Sequence, residues 1–208
     1  MTIHDITLSL RNDLPCWPGD TPFGFVLAWS KADGATVNVG RVTTTVHIGT
    51  HVDAPFHFDS TGKSIEQVPL DPYIGPARVI DVRGRSLIKV DDLASFDLTE
   101  TPRLLLRTDG WLDHSRFPES IPVLDRAVPS FLKEQGVILL GLDVPSVDQI
   151  DSKDLPIHHA LGSSGIFILE SVDLTRVEPG VYELIALPLK IVGADGSPVR
   201  AILREAEA

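Results

Sequence analysis

The chain has 208 residues, of which 43% are hydrophobic and 23% are charged, and its formal net charge at pH 7 is −11. This length fits a single domain over residues 1–208, and the globular composition argues against disorder. The negative charge, with no cluster of Lys or Arg to offset it, argues against nucleic acid as a partner.

The longest apolar runs, such as GVILLGL, are too short for a helix that crosses a bilayer. The single cysteine, Cys16, excludes an internal disulfide and a Cys-rich zinc motif, which fits a reducing compartment. The first residues, MTIHDITLSLRNDLP, lack the basic region of a secretory signal, and Asp5 interrupts their only apolar stretch. The expected location is therefore the cytoplasm.

Short β-rich runs separated by Gly, Pro and Asp predict that sheet is the main framework. In chain order they are RVTTTVHIGTHV, PARVIDV, PRLLLRT, GVILLGLDV, IFILESVDL, VYELIALPLKIV and SPVRAILRE. Helices are predicted over residues 90–96 and 130–135, the second stopping at Gly136, with a short helical turn over 157–161. Together these elements predict a β-rich mixed α/β fold.

The stretch HIGTHVDAPFHF, residues 47–58, concentrates three histidines and an aspartate. The β-branched residues 42–46 lead into it and favour a strand, in which alternate side chains share a face. As far as extension lasts, the side chains that point the same way are therefore those of His47, His51, Asp53 and His57. A helix would turn Asp53 away from the histidines.

Imidazole and carboxylate together suit zinc or a similar divalent ion. A bound ion lowers the pKa of its water to about 7 and so supplies hydroxide at neutral pH, which is the chemistry of hydrolysis. One histidine on a strand is more often a core or surface residue. Four such residues in phase instead favour a metal or catalytic site.

Three further residues stand out by their surroundings. Glu170 ends an apolar run, where a carboxylate is costly to bury without a cation or hydrogen bonds, although it could reach solvent at the end of a strand. Trp17 lies between two prolines in LPCWPGD, so a turn could present its indole to an aromatic substrate, or it could pack into the core. Cys16 has no assigned base, which favours a small buried residue over a nucleophile.

The motif HIGTHVDAPFHF resembles the H-x-G-T-H-x-D-x-P-x-H signature of the cyclase-like metal-dependent hydrolases. The rest of the chain is similar to their bacterial kynurenine formamidase (arylformamidase) branch, through LPCWPGDTPF, GLDVPSVDQIDSKDLPIHHAL, IFILE and VYELIALPLKIVGADGSPVRAILRE. The resemblance implies an α/β fold of the cyclase-like (swivelling β/β/α) type. It also implies a homodimer with two Zn²⁺ ions in each active site.

Residue by residue, the resemblance makes His47 and His51 ligands of one metal ion, and Asp53 the carboxylate that bridges both ions. It makes His57 the residue that transfers a proton. Trp17 corresponds to a residue that lines the substrate site.

The resemblance also implies a later histidine ligand that precedes a second bridging carboxylate by a fixed interval. Glu170 fits the carboxylate, and His158 is the better match for the histidine, with His159 one residue away. Neighbours on a helical turn point about 100° apart, so only one of the two is expected to face the metal.

The activity implied is hydrolysis of N-formyl-L-kynurenine to L-kynurenine and formate by a metal-bound hydroxide, with His57 as proton shuttle. A cyclic amide hydrolase of the isatin type is the alternative within the same superfamily. A serine hydrolase is disfavoured because Gly162-Ser163-Ser164-Gly165 is one residue shorter than the G-x-S-x-G elbow. A metal-binding protein without activity would need a coordination sphere closed to substrate, which turnover would distinguish.

Overall fold

The computed structural model describes residues 2–205, which fold around a mixed sheet of nine strands. The strands are β1 (Ile3–Asp5), β2 (Gly24–Trp29), β3 (Val39–Thr43), β4 (His51–Asp53), β5 (Ile74–Asp81), β6 (Leu87–Ile88), β7 (Arg103–Arg107), β8 (Val123–Leu124), β9 (Leu139–Leu142), β10 (Phe167–Glu170), β11 (Gly180–Ile185), β12 (Gly196–Pro198) and β13 (Ile202–Glu205). The helices are α1 (Val90–Leu93), α2 (Val128–Glu134) and α3 (Pro156–Ser164), with 3-10 turns at Lys31–Asp33, Pro55–His57, Ile65–Gln67 and Asp71–Tyr73.

The large sheet has the order β1-β13-β11-β5-β7-β9-β10-β4-β12. Its centre, from β5 to β10, is parallel, and the pairs on both sides of that centre are antiparallel. Strand β4 lies between β10 and β12, so it brings the histidine-rich motif to one end of the parallel set. The mixed α/β fold predicted from the sequence is confirmed.

Both faces of the parallel centre are buried. On β7, Leu104 and Leu106 belong to one apolar core and Leu105 to the other, as alternation along a strand requires. The first core also takes in Leu132 of α2 and Leu161 of α3, so the two longer helices cover that face. Strands buried on two faces are apolar throughout, which explains the continuous runs in the sequence.

The predicted helices are present with different lengths. Residues 90–96 contain only the four-residue α1, whereas α2 begins at Val128, two residues before the predicted start, and ends at Glu134, one residue before the predicted end. The predicted turn over 157–161 is the middle of the nine-residue α3.

The run RVTTTVHIGTHV does not form one continuous strand. Strand β3 ends at Thr43, and β4 begins only at His51. Between them the chain bends, and Gly49 has a φ of +58°, a left-handed conformation that glycine adopts without steric cost. The prediction that His47 lies on a strand is therefore wrong.

The hairpin formed by β2 and β3 exposes most of its apolar side chains, among them Phe25, Trp29 and Val42. Asn12 anchors its base, because the Asn12 side chain accepts a hydrogen bond from Phe25 N (2.7 Å) and donates one to Phe25 O (3.1 Å). A two-stranded sheet is only marginally stable by itself. The hairpin is thus an apolar surface available for contact, and the homodimer stays a prediction.

Among residues 2–205, no helix combines the length and the apolar character needed to cross a membrane.

Thr50 ties together three separate segments next to the motif. Its buried hydroxyl donates to Ser171 O (2.5 Å), just after β10, and accepts from Leu8 N (2.9 Å). Two backbone groups far apart in sequence therefore depend on one side chain.

We expect Thr50→Val, which keeps the shape of the side chain, to lower the free energy of unfolding by about 1–3 kcal/mol, because it leaves these backbone groups without partners. Urea unfolding of chelator-treated protein measures this without a contribution from metal binding. Thr50→Ser keeps the hydroxyl and should lose less stability. Equal stability of Thr50→Val and the parent protein would contradict this role.

Candidate metal centre and cavity

Strand pairing brings the first members of the cluster together. His51 and Asp53 both lie on β4, where alternation directs them to the same face. Glu170, the last residue of β10, pairs directly with His51 in the antiparallel register. All three residues are at least 97% buried, so Glu170 does not reach solvent at the end of its strand.

Three more histidines of the cluster lie outside the strands. His47 lies in the bend before the strand, and His57 ends the 3-10 turn Pro55–His57 that follows it. His158 lies on the first turns of α3 and is buried, whereas His159 is exposed and its ring contacts Phe58 at a centroid distance of 5.8 Å. The helix therefore turns His158 towards the cluster and His159 away from it.

The carboxylate of Asp53 is at the centre of the cluster. Its Oδ1 lies 3.0 Å from His47 Nδ1 and 3.5 Å from His51 Nε2, and its Oδ2 lies 3.6 Å from His158 Nε2. Glu170 closes the group, with its carboxylate oxygens 3.4 Å from His51 Nε2 and 3.7 Å from His158 Nε2. Two carboxylates and three imidazoles thus share one buried space.

Acceptors behind two of the imidazoles set their orientation. His51 Nδ1 donates to Gly49 O at 2.8 Å, and His158 Nδ1 donates to Asp148 Oδ2 at 2.8 Å. Asp148 is itself held by the backbone N–H groups of Ile157 and His158. With Nδ1 engaged in each ring, Nε2 is the nitrogen that faces the carboxylates, as is usual for histidines that bind metal.

The electrostatics of the cluster favour positive charge. Burial by itself lowers the pKa of His158, but Asp148 and Asp53 outweigh it and raise that pKa to about 10. Burial acts on His47 in the same way, and there Asp195 and Asp53 raise the pKa to about 10. Burial opposes ionisation of Asp53, yet the imidazoles of His158 and His47 hold its pKa well below its usual range.

The donor set fits a divalent metal ion. Nitrogen and oxygen atoms of His47, His51 and Asp53 lie within 4.8 Å of one another, and so do those of Asp53, His57 and His158. Both carboxylate oxygens of Asp53 are buried and accept no hydrogen bond from the described residues. A buried carboxylate without hydrogen bonds is costly, and a cation among these ligands would remove that cost.

Asp195 joins His47 and His57 at the open side of the cluster. Its Oδ2 lies 3.0 Å from His47 Nε2 and 3.5 Å from His57 Nδ1, and the two imidazole rings are 3.9 Å apart between centroids. Burial lowers the pKa of His57, whose side chain is 30% exposed. His57 is thus the histidine of this group that is most accessible from outside.

Sequence reasoning missed Asp195 and Asp148. Asp195 precedes β12, which pairs with β4 so that Gly196 lies opposite Asp53. Asp148 lies in the loop after β9 and reaches the start of α3. No spacing in the sequence links these acids to the motif, since only the sheet register and the helix position bring them to it.

A cavity of about 610 Å³ opens over the cluster. Trp17 and Phe117 line it, and their rings meet edge to face with centroids 5.3 Å apart. Cys16 lines it too, and its Sγ donates to Asp20 O at 3.8 Å. The residues predicted for the site, from Trp17 to Glu170, therefore all lie in or under one cavity.

Comparison with known proteins identifies the family that the motif resembles. The Cyclase family model matches residues 4–149. The kynurenine formamidase of Geobacillus thermodenitrificans (strain NG80-2) is 51% identical over 201 residues, which are 97% of this chain and 96% of that protein.

Solved structures share the fold along the whole chain. A potential metal-dependent hydrolase with cyclase activity superposes with a TM-score of 0.81 at 25% identity, over 100% of this chain and 99% of that one. Isatin hydrolase A from Labrenzia aggregata superposes with a TM-score of 0.83 at 22% identity, over 99% of this chain and 94% of that one, which shows a common fold. The chain belongs to the Cyclase family, in the group that contains the kynurenine formamidases.

Proposed function

We propose that this protein hydrolyses N-formyl-L-kynurenine to L-kynurenine and formate. The observation that carries the proposal is the buried cluster around Asp53, which opens into a cavity with aromatic residues in its wall. The kynurenine formamidase with half of its residues identical supports a linear formamide as the substrate. Isatin hydrolase shares the fold at much lower identity, so a cyclic amide is the weaker candidate.

The proposal assigns two divalent ions, expected to be zinc, to the cluster. The residues that would hold them are His47, His51, Asp53, His158 and Glu170. When bound, such ions supply Lewis acidity, which makes water a better nucleophile at neutral pH and polarises a carbonyl group. Asp148 and Gly49 O would keep the ligand imidazoles in place.

His57 is the proposed proton carrier. Its Nδ1 faces Asp195 Oδ2, which orients the ring and leaves Nε2 to exchange protons. As water adds to the formyl carbon, His57 takes its proton, and it delivers that proton to the aniline nitrogen as the C–N bond breaks. The products of this transfer are a free arylamine and formic acid, which releases its proton to solvent to give formate.

Trp17 is the proposed support for the aryl ring of the substrate. It stands edge to face with Phe117 in the cavity wall, so its orientation is set before a substrate binds.

Residues 1–208 would act together as one hydrolase domain, because the cluster draws ligands from β4, α3 and β10.

We expect purified protein to hydrolyse N-formyl-L-kynurenine, to lose that activity after treatment with a chelator, and to regain it with zinc, because the ligand set requires a cation. Absorbance measures the reaction, with isatin as a parallel substrate. Turnover of isatin alone would contradict the formamidase and favour the cyclic amide. No turnover of either substrate by zinc-loaded protein would refute the proposed chemistry altogether.

Two substitutions should separate metal binding from proton transfer. We expect Asp53→Asn to lower both metal content and activity, because it removes the central charge. His57→Ala should keep its metal and lose kcat by about 10²- to 10⁴-fold, the usual contribution of a general acid–base. Metal analysis and steady-state kinetics test both variants, with His4→Ala on β1 as control. Loss of both ions from His57→Ala would make His57 a ligand instead.

We expect Trp17→Ala to raise KM for aryl formamides about fivefold with little change in kcat, because stacking contributes about 1 kcal/mol to binding. Trp29→Ala is the matched control, since Trp29 is 63% exposed on the hairpin and does not line the cavity. Unchanged kinetics in Trp17→Ala would show that the indole has only a packing role.

A further inference from the structure

Two charged side chains in the cavity take no part in the cluster around Asp53. They are Asp20 and Lys153, and both are exposed. Neither side chain has a hydrogen bond or an ion pair with any residue in the described part of the chain. Lys153 is also the only lysine or arginine among the described residues that line this cavity. Their charges are therefore available to bind a charged ligand.

Asp20 is held beside Trp17 by a tight turn. Asp20 N donates to Trp17 O at 3.0 Å, with Pro18 and Gly19 at the central positions and a φ of +97° at Gly19. Proline followed by a glycine of positive φ is the sequence of a type II turn, whose ends lie within 7 Å of each other. The turn therefore presents a carboxylate next to the proposed support for the aryl ring.

Lys153 lies in a loop that is fixed on both sides. Ser152 N donates to Gln149 O at 2.9 Å, and Leu155 N donates to Ser152 Oγ at 3.3 Å. Leu155 has a φ of +43° and directly precedes α3, the helix that carries His158. The backbone on both sides of Lys153 is thus held, and its side chain lines the cavity shortly before the helix that carries His158.

We infer that Asp20 binds the α-ammonium group and Lys153 the α-carboxylate of an amino-acid substrate. This inference rests on the proposed function, because N-formyl-L-kynurenine carries both charges at the end of the ketone chain that lies ortho to its formamide. The other two carboxylates of the cavity, Glu170 and Asp195, are already engaged with imidazoles. The pair makes the cavity selective for zwitterionic aryl formamides over neutral ones.

Two substrates distinguish binding of the amino-acid group from hydrolysis of the formamide. N-formyl-L-kynurenine carries the amino-acid head, whereas ortho-formamidoacetophenone keeps the aryl ketone and the formamide and lacks it. We expect Asp20→Asn and Lys153→Gln each to raise KM for N-formyl-L-kynurenine about tenfold. The kinetics on ortho-formamidoacetophenone should stay within about twofold of the parent, because that substrate has no charge for either residue to bind.

Matched controls come from exposed residues that do not line the cavity. Asp151→Asn, in the loop of Lys153, and Lys133→Gln, on α2, should leave KM for both substrates unchanged. Lys153→Glu should raise KM for N-formyl-L-kynurenine further than Lys153→Gln, since it repels the carboxylate.

If Asp20→Asn and Lys153→Gln raised KM equally for both substrates, the inference would be overturned, because the cavity as a whole would have been disturbed. Unchanged KM for N-formyl-L-kynurenine would overturn it as well, while leaving the proposed formamidase intact. If the parent protein turned over neither substrate, the proposed function and this inference would fall together.

Discussion

The burial of one carboxylate group determines how the rest of the site is built. Asp53 lies on a short strand within the sheet, and its oxygens accept no hydrogen bond from the described residues. Such a group is tolerated only where positive charge surrounds it. Three imidazoles lie within 3.0 to 3.6 Å of those oxygens, and further acceptors hold these imidazoles in turn. The cluster is therefore ready for a cation before one binds.

The fold provides this arrangement by placing β4 at the end of a rigid parallel set. Its neighbour β10 is packed on both faces and carries Glu170 at its last position. Two residues near the site have positive φ values: Ser171, directly after β10, with +56°, and Leu155, directly before α3, with +43°. Strained backbone of this kind concentrates at functional sites, where the surrounding structure holds it in place.

The cavity has a polar part formed by the cluster and an aromatic part formed by Trp17 and Phe117. The imidazoles and carboxylates below it suit the reaction at a carbonyl group, and the aromatic pair Trp17–Phe117 suits a flat substrate. In the role inferred for them, the exposed charges of Asp20 and Lys153 add a preference for aryl compounds that carry an amino-acid group.

The sequence by itself determined the mixed α/β fold and the local part of the site. His51 and Asp53 are two residues apart, so the geometry of a strand alone puts them on one face, and the motif also identifies its neighbours His47 and His57. The sequence did not reveal the bend at Gly49, because a β-branched run and a glycine are compatible with either course of the chain. His47 therefore reaches the cluster from a bend, where a strand had been expected.

The resemblance already named Glu170 and favoured His158, but only the tertiary structure shows how they reach the cluster and adds Asp195 and Asp148 to it. The position of α3 on the sheet selects His158 over His159, and the register between β4 and β12 brings Asp195 to His57. Asp148 likewise reaches His158 from the loop after β9. These contacts depend on how strands pair and how a helix packs across the whole chain. Local spacing carries information about neighbours within one element, and the pairing of separate elements is a property of the folded molecule.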